Sequence, residues 1–262
     1  MQIPATMRAP GQVETAPRPL IEARGLAVGY DNQPILEQLD FDVAAGAVLA
    51  LLGGSGCGKS TLMRNLVGFD RPIAGSVRWN VTADGGLVQG APRFGILFQS
   101  GALFGSSTLL ENVALPLESW TGLPASAIDA VARAKLRLVG LDGFENHFPS
   151  EISGGMRKRA GIARALALDP PLLFLDEPSA GLDPITSAEI DELLLLLNGQ
   201  LGMTLVVVTH ELASLHRIAT DCLLLDREAR GAIARGSPRE LADGSRDPRV
   251  QRFFHPHARS RA

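Results

Sequence analysis

Cysteine is scarce in this chain. Cys57 and Cys222 are the only two among 262 residues, too few for a disulfide framework. Cys57 falls inside a glycine-rich loop that an oxidised thiol would obstruct, so the sequence favours a reducing compartment. Long apolar runs are missing too. No stretch approaches the roughly 18 apolar residues needed to cross a bilayer. The richest piece, Leu193 to Leu197, reads as one wall of a buried helix. The N-terminus lacks the continuous apolar segment of a secretory signal, so any membrane role must come through a partner. Neither sign of charge prevails. The formal net charge of −3 implies no global pull toward nucleic acid or anionic lipid. Aromatics are few, with a single tyrosine, yet 45% of the residues are hydrophobic, enough for a full globular core.

What is present is concentrated in short stretches. Gly53-Gly54-Ser55-Gly56-Cys57-Gly58-Lys59-Ser60-Thr61 fits G-x-x-x-x-G-K-[ST], the phosphate-binding loop of nucleoside triphosphatases. Ala47 to Leu52 before it is an apolar run of the kind that makes a buried parallel strand. Ser60 to Val67 after it reads as a helix, with Gly68 as its stop. Strand, glycine loop and helix are what a phosphate requires. The glycines let backbone N–H groups turn inward, and the helix N-terminus adds partial positive charge. Lys59 is expected to reach the β- and γ-phosphates, and the Ser60 hydroxyl to bind Mg²⁺.

Leu172-Leu173-Phe174-Leu175-Asp176-Glu177 is the next most informative piece. Four apolar residues make a buried strand, and two carboxylates stand at its C-terminal end. Burying two adjacent acids without a task costs several kcal/mol each. A Mg²⁺–phosphate site supplies the task, with Asp176 on the metal and Glu177 as general base toward water, an effect worth ~10²–10⁴ in rate. Two more strand ends carry polar groups: Gln99 after Phe94 to Phe98, and His210 after Met203 to Thr209. Ligands of open α/β sheets bind at such ends. Gln99 can offer its amide oxygen to Mg²⁺ or to the attacking water, and His210 can donate to the γ-phosphate. Ser153, capping a helix that runs to about Leu168, leaves the N–H groups of Gly154 and Gly155 accessible, a second anion site.

Elsewhere the readings are plainer. Residues 1–18 show no period and read as a mobile leader. Order is expected from the strand Leu20 to Arg24. Tyr30 can stack on adenine or serve as a strand-end core aromatic. Phe41 begins a further strand, and Asp84-Gly85-Gly86 marks a hairpin-type turn. Residues of about 100–165 read as a helical insertion bent at Pro116 and Pro124. The triplet Arg157-Lys158-Arg159 fans around its helix and forms no single face, so solvated or locally paired side chains are expected, not a nucleic-acid surface. Asp183 and Pro184 start a helix running to Leu197. Residues 243–262 form a basic tail with apolar Val250, Phe253 and Phe254, either a frayed terminus or a docking segment.

Assembled in this order, the motifs resemble the ATP-binding subunit of ABC transporters, over roughly Leu20 to Ala242. In that family's terms Tyr30 matches the adenine-stacking loop, Gly53 to Thr61 Walker A, Gln99 the Q-loop and Ile152 to Met156 the signature. Leu172 to Glu177 matches Walker B with its catalytic glutamate, Ser179 to Asp183 the D-loop, and His210 the switch histidine. Met156 departs from the common LSGGQ, but Ser153 and the two glycines remain. Ser153-Gly154-Gly155-Met156-Arg157-Lys158-Arg159 is similar to the Mla and Mce branch, which moves lipids across the bacterial envelope. Phe98 to Phe104, Leu182 to Thr186 and Asp247 to Phe254 are similar to it as well. The resemblance implies an α/β ATPase domain over 19–242, with a mixed-sheet core, a helical subdomain and a small antiparallel β subdomain. It implies ATP and Mg²⁺, a nucleotide-binding role for Asp183, and a second copy of the chain whose Ser153, Gly154 and Gly155 complete each nucleotide site. It implies a permease at the cytoplasmic face of the inner membrane, an Mce-type lipid-binding protein and a small STAS-domain partner. Another cargo, such as an amino acid or a hydrophobic compound, is the alternative. A soluble ABC ATPase of DNA repair or translation usually carries two cassettes or long insertions, which this chain lacks.

Overall fold

Alternating and continuous apolar runs build two sheets in the computed structural model, which describes residues 18–81 and 89–256. The turn expected at Asp84-Gly85-Gly86 lies outside the described residues. So do residues 1–17 of the expected leader and 257–262 of the tail. Ile21–Tyr30 (β1) and Gln33–Val43 (β2) form an antiparallel hairpin. Its two turn residues, Asp31 and Asn32, have φ of 49° and 59°, the left-handed pair that suits the strand twist. Phe41 thus lies near the end of a long strand and does not begin one. Val48–Leu52 (β3) is buried throughout and feeds the glycine loop, which opens into Lys59–Leu66 (α1). Ala74–Trp79 (β4) returns to the free edge of β1, so the small antiparallel sheet has the order β2-β1-β4.

Gly95–Leu97 (β5) re-enters the large sheet. Leu109–Trp120 (α2) and Ala125–Leu138 (α3) follow, then a 3-10 turn at Pro149–Glu151 and Gly154–Ala165 (α4). Thr108 and Glu111 close a reciprocal cap on α2, which explains its start. Pro116 sits inside α2 and does not end it, whereas Pro124 is the residue that caps α3.

Leu172–Asp176 (β6), Pro184–Leu201 (α5), Thr204–Val208 (β7), Leu212–Ile218 (α6), Asp221–Asp226 (β8) and Gly231–Gly236 (β9) complete the core. The large sheet runs β5-β6-β7-β3-β8-β9, parallel except for the β8–β9 pair. Successive residues of its inner strands serve opposite faces. Leu173, Leu175, Leu205 and Val207 join the helical layer, while Leu172, Phe174, Val206 and Val208 pack toward the small sheet and α1.

Three readings of length and burial change. Helix α4 stops at Ala165, short of Leu168. Helix α5 runs past Leu197 to Leu201, until Gly202 turns left-handed at φ 66°. A run of five leucines must wrap a helix, so Leu195 points outward, 39% exposed, while Leu194 and Leu197 are buried. Past residue 242 the chain stays packed. Pro238–Gly244 (α7) and Pro248–Phe254 (α8) set Leu241, Val250 and Phe254 into a third apolar cluster with Leu215 and Leu224. The frayed-terminus reading does not hold for this part.

Candidate active site

The C-terminal ends of β3, β5, β6 and β7 lie along one edge of the large sheet, and the polar groups converge there. Gly53, Gly56 and Gly58 have φ of 142°, 72° and 101°, values that only glycine adopts without strain. A Cβ on Gly53 would also stand 2.4 Å from the Leu225 carbonyl oxygen. The Lys59 Nζ donates to the carbonyls of Gly53 at 2.8 Å and Gly54 at 3.0 Å, which fixes the ammonium along the loop. Cys57 is buried beneath it and free of disulfide.

Ser60 and Asp176 face each other across the loop. The Ser60 hydroxyl donates to Asp176 Oδ2 at 3.5 Å, a long contact. Burial pushes the Asp176 carboxyl above its usual range, and the charge of Glu177 adds to this; the Ser60 hydrogen bond, Lys158 and Lys59 oppose it. Hydroxyl, carboxylate and the nearby Gln99 amide are hard oxygen donors, the set that suits Mg²⁺. Among the described residues no group of three or more His, Cys, Asp or Glu could hold a metal alone. Phosphate and water oxygens would therefore have to complete the shell.

Glu177 lies between two strand ends. Its Oε2 accepts from Gln99 Nε2 at 3.0 Å, and its Oε1 lies 3.0 Å from His210 Nδ1. Both carboxylate oxygens are thereby oriented, and the amide oxygen of Gln99 is left to other partners. Glu177 itself has φ 49°. A left-handed glutamate at this point in the chain is a strained residue held by its surroundings.

Tyr30 is 53% exposed at the end of β1, so the core-aromatic reading falls away. Its hydroxyl is 3.0 Å from Thr61 Oγ1, which ties the ring to the loop's last residue. With Asp31, Gln33 and Ile35 it lines a surface cleft of about 240 Å³. Ile35 also packs close to Gly58, so cleft and loop are contiguous.

The expected second anion site is built where α4 meets α5. Ser153 caps α4, accepting from the Met156 N–H at 3.2 Å. A Cβ on Gly155 would stand 2.3 Å from Thr186 Cγ2, so the glycine is needed for packing on α5 as well. Asp183 accepts from the N–H groups of Ile185 and Thr186 and from the Thr186 hydroxyl at 2.6 Å. The Thr186 hydroxyl, with those N–H groups, holds its carboxyl below the usual range. These bonds all stay within the cap of α5. Gly154 and Gly155 lie beside Leu182 and Thr186, next to Asp183, while contacts join Ser60 to Asp176 and Glu177 to both Gln99 and His210.

Two cations escaped the sequence reading. Lys158, the middle of the expected solvated or locally paired triplet, is buried, and its Nζ donates to the carbonyls of Gln99 and Glu177. Arg164 donates to the carbonyls of Gly101 and Ala102. The signal was available: Lys158 shares one helix face with Gly161, Ile162 and Ala165, the inward spacing of α4. Local pairing does hold for Arg157, which donates to the Ile152 carbonyl, and for Arg159, which meets Glu189.

The ABC transporter family model matches residues 36–180, from β2 through the strand end that carries Asp176 and Glu177. The chain belongs to the ABC transporter family. It is an ABC ATPase, the nucleotide-binding subunit that hydrolyses ATP to energise a transporter. Among relatives, a probable ribonucleotide transport ATP-binding protein, mkl, of Mycobacterium leprae is 40% identical over 90% of this chain and 68% of its own length. Its Mycobacterium tuberculosis counterpart is also 40% identical, with 66% of its length covered. The intermembrane phospholipid transport ATP-binding protein MlaF of Escherichia coli is 38% identical, over 90% of this chain and 88% of its own length. Among solved structures, cbiO1 of Clostridium perfringens, part of an ABC transporter complex, superposes with a TM-score of 0.75 at 27% identity. That match covers 86% of this chain and 90% of the other. A dimeric ATP-binding cassette, MJ0796, bound to ADP and Pi, gives a TM-score of 0.72 at 28% identity, over 84% and 99% of the two chains. Cassettes of this family dimerise and work with membrane permeases. Among the described residues no helix is long and apolar enough to cross a membrane.

Proposed function

We propose that this ABC ATPase energises a transporter that moves phospholipids across the bacterial envelope. Similarity to MlaF over nearly its whole length supports that cargo, together with the Ser153 to Arg159 stretch. The same reading puts the chain at the cytoplasmic face of the inner membrane, held there by a permease. An Mce-type lipid-binding protein and a small STAS-domain protein are its further partners. Ribonucleotide transport is the second reading, favoured by the names of the 40% identical relatives.

The chemistry rests on one observation, the Glu177 carboxylate held between Gln99 and His210. Glu177 takes a proton from the attacking water, and Gln99 or His210 yields its place to that water. His210 then donates to the γ-phosphate. Lys59 and the N–H groups of Gly54 to Ser60 bind the β- and γ-phosphates, and Thr61 positions Tyr30 to stack on adenine. Mg²⁺ held by Ser60, Asp176 and Gln99 would neutralise phosphate charge. Ser153, Gly154 and Gly155, with Asp183, complete the partner copy's site, so ATP closes the dimer and hydrolysis loosens it.

The deciding experiment is a tagged purification from detergent-solubilised membranes, with mass spectrometry of co-purifying proteins and small molecules. A permease with an Mce-type protein and bound phospholipid is expected. A permease carrying ribonucleotide and no lipid would transfer the proposal to the second cargo. Recovery only from the soluble fraction, without a permease, would remove both.

A further inference from the structure

Lys158 has no part in the scheme above, yet it is the one buried lysine or arginine among the described residues. A buried ammonium is costly unless its donors are used. Burial lowers its pKa, and the charges of Asp176, Glu177 and Glu211 oppose that shift. The direct contacts, however, are with backbone. Lys158 Nζ donates to the Gln99 carbonyl at 2.5 Å and the Glu177 carbonyl at 2.8 Å.

These two carbonyls belong to the two residues whose side chains meet at 3.0 Å in the site. Both loops are irregular. Glu177 is left-handed at φ 49°, and Gly101 and Ala102, just past Gln99, have φ of 76° and 49°. For the non-glycine residues Glu177 and Ala102 such backbone persists only where neighbours over-determine it. The N–H of Glu177 is held by the Val208 carbonyl at 2.9 Å, and its C=O by Lys158. Arg164, lower on the same helix, holds the Gly101 and Ala102 carbonyls at 3.1 and 2.7 Å. One helix, α4, thus grips both loops.

We infer that Lys158 is a positioning residue. By bridging the Gln99 and Glu177 carbonyls it sets the angle at which the Gln99 amide and the Glu177 carboxylate meet. The inference rests on the reading of Glu177 as general base. It makes the Ser153 helix move with the hydrolytic residues of its own chain as one body.

The test compares the full-length wild-type chain with Lys158→Met, Lys158→Gln and Glu177→Gln, measuring kcat, KM for ATP and thermal unfolding. Lys158→Met keeps length and apolar stem but removes every donor. Its kcat is expected to fall by about 10- to 100-fold, the scale of a misaligned reacting group, while KM for ATP moves far less, because the glycine loop and Lys59 that hold the phosphates are unchanged. Lys158→Gln keeps two N–H donors on one nitrogen, enough to bridge two carbonyls. It is expected to recover kcat to within about tenfold of wild type. A general structural role would instead move KM and the unfolding temperature together with kcat, and glutamine would rescue nothing. Wild-type turnover in Lys158→Met overturns the inference. So does a folded Lys158→Gln with no activity, which keeps the test decisive if the methionine variant fails to fold. Glu177→Gln separates the two levels. If it turns over normally, the general-base reading falls and the inference with it. If it is inactive while Lys158→Met is normal, only the positioning role falls.

Discussion

Asp176 carries a conflict that no other carboxylate of the site carries so plainly. Burial, then the charge of Glu177, raises its pKa above the ordinary 3.8. The folded chain therefore binds this proton more tightly than the unfolded chain does. Stability from this group is complete below the unfolded value and is lost as pH rises from there through the raised folded value. Above that range the ionised Asp176 opposes folding of the nucleotide-free protein. Asp176→Asn is expected to melt higher than wild type near pH ~7.5, by about 2–4 °C for each kcal/mol relieved. It is also expected to lose the added stability that Mg²⁺ and ATP confer on wild type. Thermal scans with and without Mg-ATP check both, and an unchanged or lower melting point in the free protein would defeat the argument. Asp183 shows the opposite case. Its cap hydrogen bonds lower its pKa, so its contribution is present at neutral pH and is lost on acidification.

Two helices show how the same residue answers to different neighbours. Gly161 faces inward on α4, where an added Cβ would stand 2.6 Å from Leu97 Cδ1 and 3.3 Å from the Gly101 carbonyl oxygen. Gly199 lies exposed on α5 with nothing within 4 Å of an added Cβ. Alanine gains about 1 kcal/mol over glycine in a helix interior, whereas overpacking a filled core costs about 1–3 kcal/mol. Gly199→Ala is therefore expected to stabilise by about 0.5–1 kcal/mol. For Gly161→Ala crowding wins, because Leu97 is fully buried and the Gly101 carbonyl is already held by Arg164. That variant is expected to be destabilised and to lose turnover as the Gln99 loop is pushed from α4. Denaturant midpoints for the pair give the signs, and equal shifts would contradict the packing account.

At the scale of the molecule, the signature surface and the glycine loop are built on different elements, α4 and the β3–α1 turn. Gly154 lies near Leu182 and Gly155 against Thr186. On the function proposed above, a second copy brings such a surface to the glycine loop. If hydrolysis by Glu177 reopens the pair, Glu177→Gln is expected to bind ATP with near-normal affinity. Its turnover should fall by at least ~10², the loss of a general base, and it should elute as a dimer when ATP is present. Size-exclusion chromatography with and without ATP reads this directly. A variant that stays monomeric with ATP, or hydrolyses normally, would remove Glu177 from the role.

Much of this protein was decided locally. The glycine loop, the strand ending in Asp176-Glu177, the cap at Ser153 and the Asp183-Pro184 start of α5 each depend on residues a few positions apart. The sequence by itself therefore determined them, and with them the family. The strand order β5-β6-β7-β3-β8-β9 depends on pairings between segments far apart in the chain. The left-handed turn of Glu177 depends on Val208 and Lys158, and the burial of Lys158 on loops about 19 and 59 positions away. The seating of Val250 and Phe254 needs the apolar surface made by β3, α6 and β8. These contacts exist only once the chain has closed on itself, so tertiary structure alone turned a set of motifs into a single gripped site.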